Sequence, residues 1–139
     1  MILEENRKDL IGYRLEQARN AIIEAQLMID NEMFSAALNR VYYGMFYVVL
    51  ALALKYKFET SKHQQLIGWF NREFVAAKAV DAKYGKIIRI AFQNRSKGDY
   101  DAFIEFSPEE AELMLSDMIE FTDVIKKIIE SHNPFETVL

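Results

Sequence analysis

The sequence predicts an all-α fold: an up-and-down helical bundle of four long helices plus a shorter one. Three observations predict it. Apolar residues recur at alternating steps of three and four positions along most of the chain. The 139 residues include only five glycines and two prolines. No segment of useful length alternates between polar and apolar residues, as a half-buried strand does. We expect residues 1–139 to form a single helical domain.

The first helix is expected from Glu4 to Asp30, because its apolar residues form the seam that a bundle helix buries. The polar pair Asn31 and Glu32 interrupts this pattern, and a second helix is expected from about Phe34 to the residues around 55–57. The seam of the first helix consists of Ile11, Leu15, Ala18, Ile22, Ala25 and Ile29.

The second helix has no charged residue from Val41 to Leu54. A surface helix is apolar on one face only, so a helix that is apolar all round must be buried on several sides. We therefore expect a partner surface to cover part of it, since one small domain cannot easily do so. Its three stripes are Leu38, Val41, Met45, Val48 and Leu52; Tyr42, Phe46, Val49 and Ala53; and Tyr43, Tyr47, Leu50 and Leu54.

A third helix is expected after the second. Ser61 and Gln64 have the spacing of a capping box, which predicts that this helix starts with Ser61 as its N-cap. A break is expected around residues 78–80. The apolar face of the third helix consists of Ile67, Phe70, Phe74 and Ala77.

In the fourth helix Arg95 extends an apolar stripe and therefore does not belong to the solvent face, and Gly98 is a plausible C-terminal stop. Ser107 and Pro108 predict the start of the last helix, as N-cap and first helical residue. The stripe that leads to Arg95 is Tyr84, Ile88 and Ala91. The stripe of the last helix is Ala111, Leu115, Met118, Thr122, Ile125 and Ile129.

Composition excludes several classes of protein. There is no cysteine, so disulfides and thiolate metal sites are excluded. Charges within the first four residues argue against a signal peptide, and the apolar run from Val41 is shorter than the roughly 20 residues of a membrane span. We therefore expect a soluble, cytoplasmic protein without membrane contact. The net charge of −4 argues against broad, non-specific nucleic-acid binding but leaves room for a small basic cleft.

Neither a metal nor a cofactor is expected. The sequence has no HExxH, no Glu-x-x-His pair, no P-loop and no GxGxxG motif. Its two histidines are His63 and His132, and without cysteine a transition-metal site would need mostly carboxylate ligands. His63 is expected to be an exposed residue in the first turn of its helix.

The candidate catalytic residues are Arg95, Asp99 and Tyr100, near the end of the fourth helix. An arginine on an apolar stripe is well placed to bind a phosphate, and Asp99, four residues on, could orient it. The structural alternative is an ion pair between Arg95 and Asp99 that closes the helix end.

The candidate binding residues are Asn39, Arg40, Tyr43 and Tyr47, at the start of the apolar run. The two tyrosines either pack in the core and an interface or stack on RNA bases. The two polar residues either organise the interior through hydrogen bonds or, in the case of Arg40, join Arg95 at a cleft.

Three segments together resemble the HEPN superfamily, and most closely its small stand-alone branch of nucleotidyltransferase-associated toxin–antitoxin proteins. They are Asn39–Phe46, Phe70–Phe74 and the motif Arg95-x-x-Gly-Asp-Tyr100. The resemblance implies a helical bundle that forms homodimers, and a minimal nucleotidyltransferase as a partner. In catalytically competent members, an Arg followed four to six residues later by His, from each subunit, meets at the dimer cleft. There they cleave RNA without a metal, through attack of the ribose 2′-hydroxyl on the adjacent phosphate.

The chain departs from the family pattern at one point. Arg95 matches the family arginine, but positions 100, 101 and 102 are Tyr, Asp and Ala, so the expected histidine is absent. At neutral pH an ordinary carboxylate is a poor acid and a phenol a poor base. The expected function is action on RNA at a dimer cleft around Arg95. The alternatives are a non-catalytic subunit that docks a nucleotidyltransferase or holds a nucleotide, and a purely structural dimerisation domain.

Overall fold

The computed structural model of the chain describes residues 3–100 and 105–131, with side chains up to Arg95 in the first range. Within these ranges all regular structure is helical, which confirms the predicted class and the four long helices with one shorter one. The elements are α1 (Glu4–Asp30), α2 (Phe34–Lys55), α3 (His63–Phe70) with one following π-helical turn (Asn71–Val75), α4 (Ala82–Tyr100) and α5 (Pro108–Glu130).

Helix α2 is the central element and packs against α1, α4 and α5. Long helices that follow one another along the chain run in opposite directions, as contacts between their ends show. Lys83, near the start of α4, pairs with Glu120 in the second half of α5. Asn94, near the end of α4, lies 3.8 Å from the sulfur of Met114 in the first half of α5. The bundle is therefore of the up-and-down type.

The other helices of the same chain cover most of α2. Every residue of its first two stripes is buried, and every residue of its third stripe is half-buried. The chain itself therefore covers two of the three stripes, because α1, α4 and α5 surround them, and the expected partner surface stays a prediction for the third stripe. The half-buried third stripe consists of Tyr43, Tyr47, Leu50 and Leu54.

By length and composition, α2 could cross a membrane. It has 22 residues and contains an 18-residue window of mean hydropathy 1.4. The shortness of the uncharged run from Val41 therefore does not by itself exclude a membrane span. However, 67% of that window is buried inside the bundle. The same length and composition are found in central helices that are buried by their own chain.

Gly44 permits the close packing of α1, α2 and α5. A Cβ atom at this position would overlap the terminal methyl group of Met118 and lie 3.3 Å from the Cβ of Ala21. Met118 and Ala21 are themselves fully buried. The absence of a side chain on α2 therefore leaves room for a methionine from α5 at the point where three helices meet.

The last helix begins as predicted. Ser107 is the N-cap of α5, its hydroxyl oxygen accepts a hydrogen bond from the Glu110 N–H at 3.1 Å, and Pro108 is the first helical residue. The predicted apolar stripe of α5 faces the core: all its residues are buried except Ile129, which is half-buried.

Three predicted details were wrong. The N-cap of α3 is Lys62 rather than Ser61, and the Lys62 N–H donates to Thr60 Oγ1 at 3.2 Å. Ala77 is exposed, because the π-helical turn ends at Val75 and the chain leaves the helix through Lys78, whose φ is 62°. Helix α4 continues past Gly98 to Tyr100, since a glycine inside a helix costs only about 1 kcal/mol relative to alanine.

Lys55 connects the C-terminal ends of α2 and α5. Its ammonium group donates hydrogen bonds to the backbone carbonyls of Ile128 at 3.0 Å and Ile129 at 2.9 Å, and to that of Ser131. These carbonyls lie at the end of α5, where a helix lacks backbone donors and its dipole is negative. The lysine therefore caps one helix from the end of another.

Replacing Lys55 with methionine should lower the free energy of unfolding by about 1–2 kcal/mol, because the chain keeps the aliphatic packing but loses charged hydrogen bonds to the end of α5. Urea denaturation measures this change. Lys126→Met, at an exposed position of α5, is the matched control and should change stability by less than about 0.5 kcal/mol. Equal losses in the two variants would contradict a capping role for Lys55.

Candidate functional site

Arg95 lies where the stripe analysis places it, at the end of a buried stripe of α4. Its guanidinium carbon lies 5.3 Å from the ring centre of Tyr42, 5.8 Å from that of Tyr43 and 5.3 Å from that of Phe92. Its Nη1 donates a hydrogen bond to the Tyr43 hydroxyl at 3.3 Å. A half-buried cation held by three aromatic rings is fixed in position before any ligand arrives.

Tyr42 forms the inner wall of this site. It is fully buried, and burial raises the pKa of its hydroxyl, although the nearby Arg95 cation opposes this change. The hydroxyl therefore stays protonated at neutral pH and can donate or accept a hydrogen bond. Its oxygen lies 2.6 Å from Nδ1 of His63.

His63 belongs to the same site, which the sequence did not indicate. It is the first residue of α3 and is only partly exposed, so its expected position as an exposed first-turn residue was wrong. Its ring stacks on Phe46, with centroids 4.1 Å apart and planes inclined by 12°, and meets the ring of Tyr43 edge-on at 5.8 Å. Burial lowers the pKa of His63, and the Arg95 cation lowers it further.

Arg40 also contacts the Tyr43 ring. Its guanidinium carbon lies 5.1 Å from the centre of the Tyr43 ring, so this one ring contacts both Arg40 and Arg95. Asn39 Oδ1 accepts hydrogen bonds from Arg40 Nη2 at 3.0 Å and Nε at 3.3 Å. Arg40 Nη1 also lies 3.8 Å from a carboxylate oxygen of Glu24 on α1. Asn39 thus orients Arg40.

Tyr47 extends this surface along α2. Its ring lies 5.9 Å from that of Tyr43, and together with Arg40 it lines a groove of about 400 Å³ between α1 and α2. Of the predicted binding residues, Tyr43 contacts Arg95 directly. Arg40 and Tyr47 contact the Tyr43 ring, and Asn39 contacts Arg40. We call the residues Arg95, Tyr42, Tyr43, His63 and Arg40 the Arg95 cluster.

Two of the predicted catalytic residues lie outside this description. Asp99 and Tyr100 follow Arg95 on α4, but their side chains are outside the described residues, as is His132. Among the residues that are described, no group of three or more histidines, aspartates or glutamates is arranged to hold a metal ion.

Comparison with known proteins agrees with this fold. The family model for the HEPN domain matches residues 11–128, which include α2, α3, α4 and nearly all of α5. The chain belongs to the HEPN family.

Similar proteins come from a bacterium and an archaeon. A HEPN relative from Thermotoga maritima, named "UPF0332 protein", is 36% identical over 124 residues, which cover 89% of this chain and 94% of the relative. Two relatives from Methanocaldococcus jannaschii are named "Putative toxin MJ0142" and "Putative toxin MJ0605". They are 32% and 29% identical, over 95% and 93% of this chain and 90% and 96% of their own lengths.

The lowered pKa of His63 predicts how the stability of this HEPN chain depends on pH. The folded state binds a proton at His63 less readily than the unfolded state, whose histidine has the ordinary pKa of 6.5. The unfolded state therefore binds more protons than the folded state once the pH falls below about 6.5. The His63 contribution to the free energy of unfolding should decrease from that pH down to the lowered pKa of the folded state. Above that window the contribution should be constant.

This dependence can be isolated by comparing variants. The difference in unfolding free energy between pH 7.5 and pH 5 should be smaller in His63→Gln than in the unchanged protein, as measured by urea denaturation at each pH. His132→Gln changes the other histidine of the sequence and should keep the original difference. The same pH dependence in His63→Gln and the unchanged protein would show that the folded environment does not shift the pKa of His63.

Proposed function

We propose that this HEPN protein is a toxin that binds single-stranded RNA at the Arg95 cluster and cleaves it without a metal ion. The observation that carries the proposal is the position of Arg95. A cation that is half-buried among three rings is fixed where a phosphodiester group could dock, and a guanidinium group can stabilise the charge that develops on the phosphate during cleavage.

The surface next to Arg95 supports RNA rather than a small phosphate ligand. Arg40 adds a second cation at the Tyr43 ring, and Tyr47 continues the surface into the groove between α1 and α2. Half-buried tyrosines next to arginines suit a single strand, because aromatic rings can stack on bases while guanidinium groups contact phosphates. In a chain with a net charge of −4, such binding would be local.

The wider role that we propose follows from the family and the relatives. Two relatives carry the word toxin in their names, and the resemblance to toxin–antitoxin proteins implies a homodimer with the RNA site at the dimer cleft. The third stripe of α2, which the chain leaves half-buried, would suit such a contact. We further propose that residues 1–139 act as one domain in the cytoplasm and that a minimal nucleotidyltransferase is the antitoxin partner.

RNA cleavage should depend on Arg95. The purified protein should cut a single-stranded RNA oligonucleotide in the presence of EDTA and leave the DNA of the same sequence intact, since the attacking 2′-hydroxyl is then absent. Arg95→Ala should lower the cleavage rate by at least about 100-fold, because it removes the group that stabilises charge in the transition state. Arg95→Lys should restore little, since an ammonium group cannot form the planar two-point contact.

Arg89→Ala is the matched control, because Arg89 lies on the same helix and is exposed. Its cleavage rate should remain within about twofold of the unchanged protein, and melting temperatures should show that all variants fold. RNA that stays intact at micromolar protein, with the fold preserved, would contradict the proposed cleavage.

The proposed partner can be tested separately. Co-expression with a minimal nucleotidyltransferase from a neighbouring gene should give a stable complex on size exclusion and should relieve any growth arrest that the chain causes alone. Failure of the two proteins to co-purify would contradict the proposed pairing and leave the RNA result unaffected.

A further inference from the structure

The fold places a histidine beside Arg95 that comes from a different helix. His63 begins α3, whereas Arg95 lies near the end of α4. Both side chains contact the same rings: Arg95 and His63 each pack against Tyr42, Tyr43 and Phe92. Helix α4 lacks the histidine of the family motif. The fold instead brings a histidine from α3 close to Arg95.

Two contacts fix the orientation of the His63 ring. The ring stacks on Phe46 at 4.1 Å, and Nδ1 lies 2.6 Å from the Tyr42 hydroxyl. The ring is therefore held in its plane and cannot turn without losing the hydrogen bond. The other nitrogen, Nε2, has no hydrogen bond to any described residue, and His63 is partly exposed, so a substrate could reach it.

The Tyr42 hydroxyl can stabilise the histidine in either protonation state. Because burial keeps Tyr42 protonated, its oxygen can accept a hydrogen bond from Nδ1–H, which leaves the lone pair of Nε2 free to take a proton. Among the residues whose side chains are described, the titratable or charged groups that face His63 are Tyr42 and Tyr43 of α2 and Arg95 of α4. Burial and the Arg95 cation lower the pKa of His63, so the imidazole is neutral at pH 7, as a general base must be.

We propose that Nε2 of His63 is the general base of this site and removes the proton from the ribose 2′-hydroxyl of RNA bound at Arg95. The proposal rests on the proposed function. In this step the 2′-oxygen forms a bond to phosphorus, the bond from phosphorus to the 5′-oxygen breaks, and the 2′-hydroxyl proton passes to Nε2. The leaving 5′-oxygen takes a proton from water, and the imidazolium then returns its proton to solvent.

The products are a 2′,3′-cyclic phosphate and a 5′-hydroxyl. Within this scheme Tyr42 is a positioning residue, since it touches His63 and not the RNA. Its hydrogen bond fixes which nitrogen of the histidine faces the substrate.

The test measures the rate of RNA cleavage against pH in EDTA. His63→Phe keeps an aromatic ring to stack on Phe46 but cannot take a proton, so kcat should fall by about 100-fold or more. In the unchanged protein the rate should rise with pH along an acidic limb whose midpoint lies below 6.5, and His63→Phe should lose that limb. His132→Phe, the control at the other histidine, should keep both the rate and the limb.

Tyr42→Phe tests the positioning role. It should lower kcat by up to about tenfold, the effect of one lost hydrogen bond, while KM stays unchanged and the acidic limb remains. His63→Gln provides a second variant without a titrating group, and melting temperatures show which variants fold.

The outcomes separate the two proposals. If the protein cleaves RNA and Arg95→Ala is inactive, but a folded His63 variant keeps its rate and its acidic limb, the assignment of His63 is wrong and the proposed function stands. An acidic limb that is absent from the unchanged protein would overturn the assignment even if no His63 variant folds. If the unchanged protein leaves RNA intact, both proposals are wrong.

Discussion

The burial of α2 is the constraint on which the rest of the structure depends. A helix that is apolar on every side can exist in water only if other helices surround it, and α1, α4 and α5 do so. Gly44 lets two of those helices approach closely, and Lys55 joins the far end of α2 to the end of α5. The position of every other helix follows from the need to cover this one.

The Arg95 cluster forms where that covering is incomplete. At its N-terminal half α2 presents tyrosines, whose rings can be buried while their hydroxyl groups keep polar partners. Tyr42 meets His63, and Tyr43 meets Arg95. The aromatic side chains that bury the central helix therefore also hold a guanidinium group and an imidazole close to each other. The candidate site is thus built from residues that the packing of the core already needs.

The sequence predicted the helices well because their signals are local. The seam of α1, the Ser107 cap and the stripe that ends at Arg95 each depend on residues within a few turns of one another.

His63 could not be found in this way, because its role depends on the place where α3 packs against α2 and α4. The capping box put the N-cap at Ser61 and His63 on the exposed side of the first turn, and nothing local to that segment pointed to the rings of α2 and α4. Periodicity also counted the apolar faces of α2 but could not say which of them the other helices of the same chain would cover.

The ring of Tyr43 contacts two guanidinium groups at once, Arg40 at 5.1 Å and Arg95 at 5.8 Å. The two arginines share this contact, so any shift of the ring toward one guanidinium group changes its distance from the other. The effects of substitutions at these two positions should therefore not add, and Tyr43 would couple them. In the evolution of such a chain, a change at Arg40 would alter which residues are tolerated at position 95, so that the two arginines and the tyrosine would tend to change together.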